Sequence, residues 1–112
     1  MYSIVVKGKF DAAHSLPGVE TCERLHGHTF QVETRISSLH LNNQDMVVDF
    51  RVIKECWKKY DHQSLNDFFD MPTAECLSRK MYDDLAMQGI PVVYVRVWES
   101  QDCYVEYWER MV

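Results

Sequence analysis

The chain has 112 residues and a mass of 13.3 kDa, with 46% hydrophobic and 26% charged residues. That balance excludes disordered and collagen-like classes and predicts one globular domain, residues 1–112, with a core of its own. A formal charge of -5 and a pI near 5.4 exclude a broad basic footprint for nucleic acid. No apolar run approaches the roughly 18 residues of a membrane span. The start, Met1 to Lys7, lacks the apolar stretch of an export signal. A cytoplasmic protein with neither a membrane nor a nucleic-acid partner is expected.

The first predicted element is a strand. Tyr2, Ile4, Val6, Phe10, Ala12 and His14 share one parity, with Lys7, Lys9 and Asp11 on the other. A loop from Ser15 to Arg24, punctuated by Pro17-Gly18, leads to a second strand from about His26 to Ser37. Phe30, Val32 and Ile36 face one way there, and Gln31, Glu33 and Arg35 the other. A first helix runs from Asp49, its expected cap, to Tyr60, with Phe50, Ile53, Trp57 and Tyr60 as its apolar stripe. A second opens at Pro72-Thr73-Ala74-Glu75, buries Leu77, Met81 and Leu85, and stops at Gly89-Ile90-Pro91. Two further strands, Val92 to Glu99 and Cys103 to Arg110, close the chain. The order β-β-α-α-β-β predicts an α+β fold with a four-stranded antiparallel sheet and two helices on one face. Such a sheet has two open edges rich in Tyr, Trp and Val, and oligomerisation would cover them.

Cys22, Cys56, Cys76 and Cys103 are widely spaced and form no C-x-x-C pair. Without an export signal they are not expected to pair. Cys56 and Cys76 fall within helical patterns and are expected to be buried.

His26-Gly27-His28 places two imidazoles on one face of a strand, and His14 ends the preceding strand in phase with its apolar face. If these strands pair antiparallel, the three rings converge. Three neutral imidazoles make the open tetrahedral site of a catalytic Zn²⁺. Cys22, four residues before His26, can be a fourth ligand, a nucleophile, a general base or a loop thiol. Asp61-His62 can form a carboxylate-oriented proton carrier or a solvated helix end. Glu99, in phase with Val95 and Val97, suggests an acid awaiting a ligand's amidine-like edge or an arginine, or an exposed strand end.

Taken in order, Phe10-Asp11-Ala12-Ala13-His14-Ser15-Leu16, Cys22-x3-His26-Gly27-His28, Val48-Asp49-Phe50, Asp61-His62 with Leu65-Asn66, Pro72-Thr73-x-Glu75 and Glu99 resemble the 6-pyruvoyl-tetrahydropterin synthase family. The three-residue gap between Cys22 and His26 is similar to its 6-carboxy-5,6,7,8-tetrahydropterin synthase branch, which serves deazapurine biosynthesis of the queuosine and archaeosine type. The resemblance implies the tetrahydropterin-synthase fold (T-fold), a homohexamer of two stacked trimers, and active sites between subunits. It implies His14, His26 and His28 as zinc ligands, Cys22 as the base, Asp61 and His62 as its partners, Glu99 as the pterin-gripping acid and Thr73 as a pocket-bordering residue. The implied activity is a carbon-carbon lyase that turns 7,8-dihydroneopterin triphosphate into 6-carboxy-5,6,7,8-tetrahydropterin, acetaldehyde and triphosphate. Arg24, Lys7 and Lys9 are the candidates to hold the triphosphate. The segment Ser100 to Cys103 lacks a glycine that many relatives carry. Glu23 raises a folate-branch aldolase as an alternative, beside a pyruvoyl-forming synthase and a non-catalytic pterin-binding module.

Overall fold

The computed structural model describes residues 1–109. Strand β1 (Tyr2–His14) pairs antiparallel with β2 (His26–Ser38) over its whole length, from Tyr2 opposite Ser38 to His14 opposite His26. Helix α1 (Phe50–Lys58), a two-residue strand β3 (Gln63–Ser64), a 3-10 turn (Leu65–Asp67) and helix α2 (Ala74–Met87) follow. Strands β4 (Val92–Trp98) and β5 (Tyr104–Tyr107) complete the sheet in the order β3-β1-β2-β4-β5.

The sheet is therefore five-stranded and mixed rather than four-stranded and antiparallel. The extra strand, β3, lies parallel to β1 through Ala12 with Gln63 and Ala13 with Ser64. It falls between the two helices in the chain, so the order also departs from β-β-α-α-β-β. Two residues cannot display an alternating pattern, and this pairing depends on the turn before it, where His62 adopts φ 59°. The last two strands are shorter than expected, and Arg110 lies outside the described residues.

The even-numbered side chains of β1 and β2 face the helices. Val6, Phe10, Phe30, Val32 and Ile36 pack there with Ile53, Trp57, Leu77, Met81, Leu85, Val95 and Val97 in one core. Leu77, Met81 and Leu85 are fully buried as their spacing predicts. The expected stripe of α1 holds at Ile53, Trp57 and Tyr60 and fails only at Phe50. Phe50 is 55% exposed, whereas Ile53, Cys56 and Trp57 turn inward and Tyr60 is buried just past the helix end. Phe50 is the first helical residue, ahead of the turn that meets the sheet. Cys76 is also exposed, against expectation, because it lies on the outer side of α2 from Leu77 and Met81. Both helix caps form: Asp49 accepts from the Arg51 N–H at 2.9 Å and Thr73 from the Cys76 N–H at 3.1 Å.

Among the described residues no helix covers the opposite face of the sheet, whose centre is polar. Glu33 accepts hydrogen bonds from the Tyr94 hydroxyl at 2.7 Å and the Arg96 guanidinium at 2.9 Å, with the Lys7 ammonium 3.5 Å away. Burial pulls the Glu33 carboxyl upward, but these partners outweigh it and hold it below its ordinary value. The outer edge of β1 from Tyr2 to Lys9, and that of β5, carry no strand partner among the described residues.

Gly8 marks the closest approach between β1 and α1. A Cβ there would lie 2.6 Å from Cζ2 and 2.8 Å from Nε1 of the Trp57 indole. Trp57 is almost fully buried and cannot retreat. Gly8→Ala is expected to destabilise the fold by about 1–3 kcal/mol through overpacking. Thermal unfolding measures it, and an unchanged midpoint would show that the indole has room to shift.

Candidate active site

The site begins with strand register. His14 lies directly opposite His26, and His28 opposite Ala12, so the three imidazoles project from one face at the end of the β1–β2 ladder. Ring centroids are 4.6 Å apart for His14 and His26, 5.0 Å for His14 and His28, and 4.9 Å for His26 and His28. One nitrogen from each lies within 4.8 Å of the others. Phe30 forms the floor, with its ring edge-on to both His14 and His28.

Main-chain carbonyls set the tautomers. His14 Nδ1 is 2.7 Å from the Pro72 carbonyl and His26 Nδ1 is 2.7 Å from the Arg24 carbonyl. A carbonyl only accepts, so each Nδ1 carries the proton and each Nε2 presents a lone pair. Nε2 of His14 and Nε2 of His28 are buried with no hydrogen-bond partner. Buried ring nitrogens left without a partner are costly. A metal ion accepting these lone pairs removes that cost, and carbonyl-anchored histidines are its usual ligands. Burial lowers the His28 pKa, with Glu99 opposing and His14 and His26 adding to the effect. The neutral, metal-ready form is thereby favoured. The donor set fits a divalent metal.

Glu99 lies just beyond β4, still on the helix side of the sheet, with Oε1 3.9 Å from His14 Nε2. It lines a cavity of about 330 Å³ together with Ala74, Glu75, Ser100, Cys103 and Tyr104. Thr73 stands next to that wall, and its hydroxyl oxygen is occupied as the α2 cap. Cys22 is half-buried in the loop between β1 and β2. That loop is closed by Leu16 N–H to the Cys22 carbonyl at 2.7 Å and Cys22 N–H to the Val19 carbonyl at 2.8 Å. The Cys22 thiol does not join the three histidine nitrogens as a donor within their 4.8 Å grouping.

Asp61 and His62 form a pair on the other side of β1. Asp61 Oδ2 is 3.0 Å from His62 Nδ1, and Asp61 Oδ1 accepts from the Asp11 N–H at 2.9 Å. The Asp11 N–H, followed by the His62 contact, holds the Asp61 carboxyl below its usual range. His62 is exposed and lines a cavity of about 580 Å³ whose wall includes His28. Lys7 and Lys9 stand on the polar face of the sheet, away from the histidines, and the Arg24 side chain is exposed.

Two supporting residues had no role assigned from the sequence. Pro72 acts through its carbonyl, which no side-chain pattern reveals. Asn66 donates to the Ser15 carbonyl and accepts from the Ser15 N–H, both at 2.9 Å, and so ties down the chain just after His14. Its place beside Leu65 in the sequence motif was the available signal.

The sequence profile of the family described as 6-pyruvoyl tetrahydropterin synthase matches residues 3–110. The chain belongs to that family. It is 38% identical over 107 residues, with 92% of each chain covered, to an Archaeoglobus fulgidus protein provisionally named 6-carboxy-5,6,7,8-tetrahydropterin synthase. It is 34% identical to the Synechocystis protein of that name, covering 89% of this chain and 88% of the other. A dihydroneopterin monophosphate aldolase of Pyrococcus furiosus is 29% identical, with coverage of 92% and 94%. Among solved structures, Caenorhabditis elegans 6-pyruvoyl tetrahydropterin synthase superposes with a TM-score of 0.77 at 18% identity, covering 97% of this chain and 96% of that one.

Asn66→Ala removes both bonds to Ser15 and leaves two part-buried main-chain groups unpaired. A loss of about 1–3 kcal/mol is expected, with faster proteolysis within Ser15 to Arg24. Limited digestion beside thermal unfolding checks both, and an unchanged cleavage rate would show that the loop is held elsewhere.

Proposed function

We propose that the protein is a zinc-dependent lyase that converts 7,8-dihydroneopterin triphosphate and one water to 6-carboxy-5,6,7,8-tetrahydropterin, releasing acetaldehyde and triphosphate. Its product would feed deazapurine synthesis of the queuosine and archaeosine type in the cytoplasm. The observation that carries this reading is the trio of imidazoles with two buried, unpartnered Nε2 atoms and Glu99 beside them. The names of the Archaeoglobus and Synechocystis relatives support the choice of product.

Zinc held by His14, His26 and His28 would supply Lewis acidity to the hydroxyls of the pterin side chain. Cys22, free of the ligand set, is the candidate base that takes a proton from that side chain. His62, with Nδ1 on Asp61, has Nε2 available to accept or return a proton. Glu99 accepts two hydrogen bonds from the N3–H and 2-amino group of the pterin, a bidentate charge-assisted contact. The Thr73 segment borders the same cavity.

The working assembly would be a homohexamer of two trimers around residues 1–112 as one domain. Unpaired edges on β1 and β5 support edge-to-edge closure. So does the separation of Glu99 and His62 into different cavities of one chain, since another copy can complete each half. The Pyrococcus relative's name and Glu23 beside Cys22 favour a second reading, a folate-branch aldolase.

Incubation with 7,8-dihydroneopterin triphosphate and identification of the product tests the proposal. The carboxy product with acetaldehyde is expected. A 6-hydroxymethyl or a 6-pyruvoyl product would move the chain to another branch, and tight binding without turnover would make it a pterin-binding module. Cys22→Ala is expected to retain its metal and lose about 10²–10⁴-fold in rate. Loss of metal and fold together would instead make Cys22 a structural ligand and remove the enzyme reading. His26→Ala and His28→Ala are each expected to purify nearly free of zinc by elemental analysis. Full occupancy in both would overturn the ligand set.

A further inference from the structure

Strand β1 brings a second carboxylate to the Asp61–His62 pair. Asp11 sits on the face of β1 opposite His14 and directly across from Thr29 in the β1–β2 register. Its peptide unit grips the pair from both ends. The Asp11 N–H donates to Asp61 Oδ1 at 2.9 Å, and the Asp11 carbonyl accepts from the His62 N–H at 2.6 Å. His62 has φ 59°, a left-handed conformation that a side-chain-bearing residue keeps only when its surroundings enforce it. The pairing of Ala12 and Ala13 with Gln63 and Ser64 extends that grip.

Any residue but proline at position 11 can offer those main-chain groups. The Asp11 side chain adds something specific. Its Oδ1 accepts from the Thr29 hydroxyl at 2.5 Å. One oxygen of Asp11, one of Asp61 and one ring nitrogen of His62 all lie within 4.8 Å of one another. Two carboxylates at such a distance repel, and the Asp11 N–H on Asp61 together with the Thr29 hydroxyl on Asp11 offsets that repulsion. Among the described residues, the titratable groups around the ring are Asp61 in its own turn, Asp11 on β1, and His28 on β2 in the wall of the same cavity.

We propose that Asp11 is a positioning residue for His62: tethered by Thr29, its carboxylate stands beside the imidazole as a second negative charge. The inference rests on the reading of His62 as the proton carrier. Asp61 orients the ring through Nδ1, and Asp11 stabilises the cation that forms when Nε2 takes up a proton. Division of the work between two acids keeps Asp61 in its hydrogen-bonded geometry while the charge of the ring changes.

The test uses the full, metal-loaded protein with Asp11→Asn and Thr29→Val. Asparagine keeps the size and an acceptor for Thr29 but removes the charge. Valine keeps both charges but releases the tether. The His62 ring signals, followed by NMR across pH, are expected to show a titration midpoint lower by about half a pH unit in Asp11→Asn, from loss of one nearby negative charge. Thr29→Val should move it less and in the same direction. With the pterin substrate, Asp11→Asn should lower kcat about 3–10-fold, less than deletion of an acid-base group. KM should stay within about twofold, and the His62 limb of the pH profile should move to lower pH. Asp11→Glu should recover part of the rate. An unmoved NMR midpoint in folded Asp11→Asn overturns the proposal, whatever happens to kcat, because a merely structural role changes rate without changing proton affinity. If the parent protein turns over no pterin, the enzyme reading fails alone and the NMR arm still decides on Asp11. If Asp11→Asn does not fold, Thr29→Val decides by the same criterion.

Discussion

The antiparallel register of β1 on β2 is the constraint on which the rest depends. With His14 opposite His26, every even-numbered residue on both strands faces the helices and every odd one faces away. A slip of β1 by one residue would send His14 to the polar face, away from His26 and His28, and bring Lys7, Lys9 and Asp11 into the core. The apolar burial of Phe10, Phe30, Val32 and Ile36 opposes that slip. The hydrophobic core and the candidate metal centre are thus set by one pairing.

The site is assembled from three depths of the structure. The histidines stand on the long hairpin, the most extensively paired part of the chain. Their tautomers are fixed by Pro72 just before α2 and by Arg24 in the loop leading into β2. Glu99 and Asp61–His62 are supplied by chain turns at the ends of β4 and α1, where direction can change without disturbing the ladder. Rigid elements hold the candidate metal ligands and short turns present the groups that would handle the ligand.

Much of this was legible in the sequence because it rests on period and spacing. Alternation located the full span of β1, H-x-H put His26 and His28 on one face, and Pro72-Thr73-Ala74-Glu75 announced the start of α2. What escaped was encoded without a period. β3 has two residues and exists because His62 turns left-handed beneath Asp11. Cys76 fits a helical pattern but lies on its outer side, and Phe50 stands one turn too early to reach the core. The carbonyls of Pro72 and Arg24 are common to every residue type, so their role appears only when the chain is folded. The open face reads as ordinary alternating polar residues, with no hint that Glu33 sits within a cage of Tyr94, Arg96 and Lys7.

The anchoring of His14 and His26 by peptide oxygens has a consequence for how chemistry can diversify on this scaffold. A side-chain anchor can be lost or altered by one codon change, but a main-chain acceptor survives any substitution that preserves the local path of the chain. Metal-ready tautomers are therefore inherited with the backbone, and point mutation acts more readily on the groups around them: Cys22 and Glu23 in the loop, Glu99 and Cys103 at the cavity wall. A fold built this way can exchange one bond-breaking outcome for another by editing its loops while the centre stays primed.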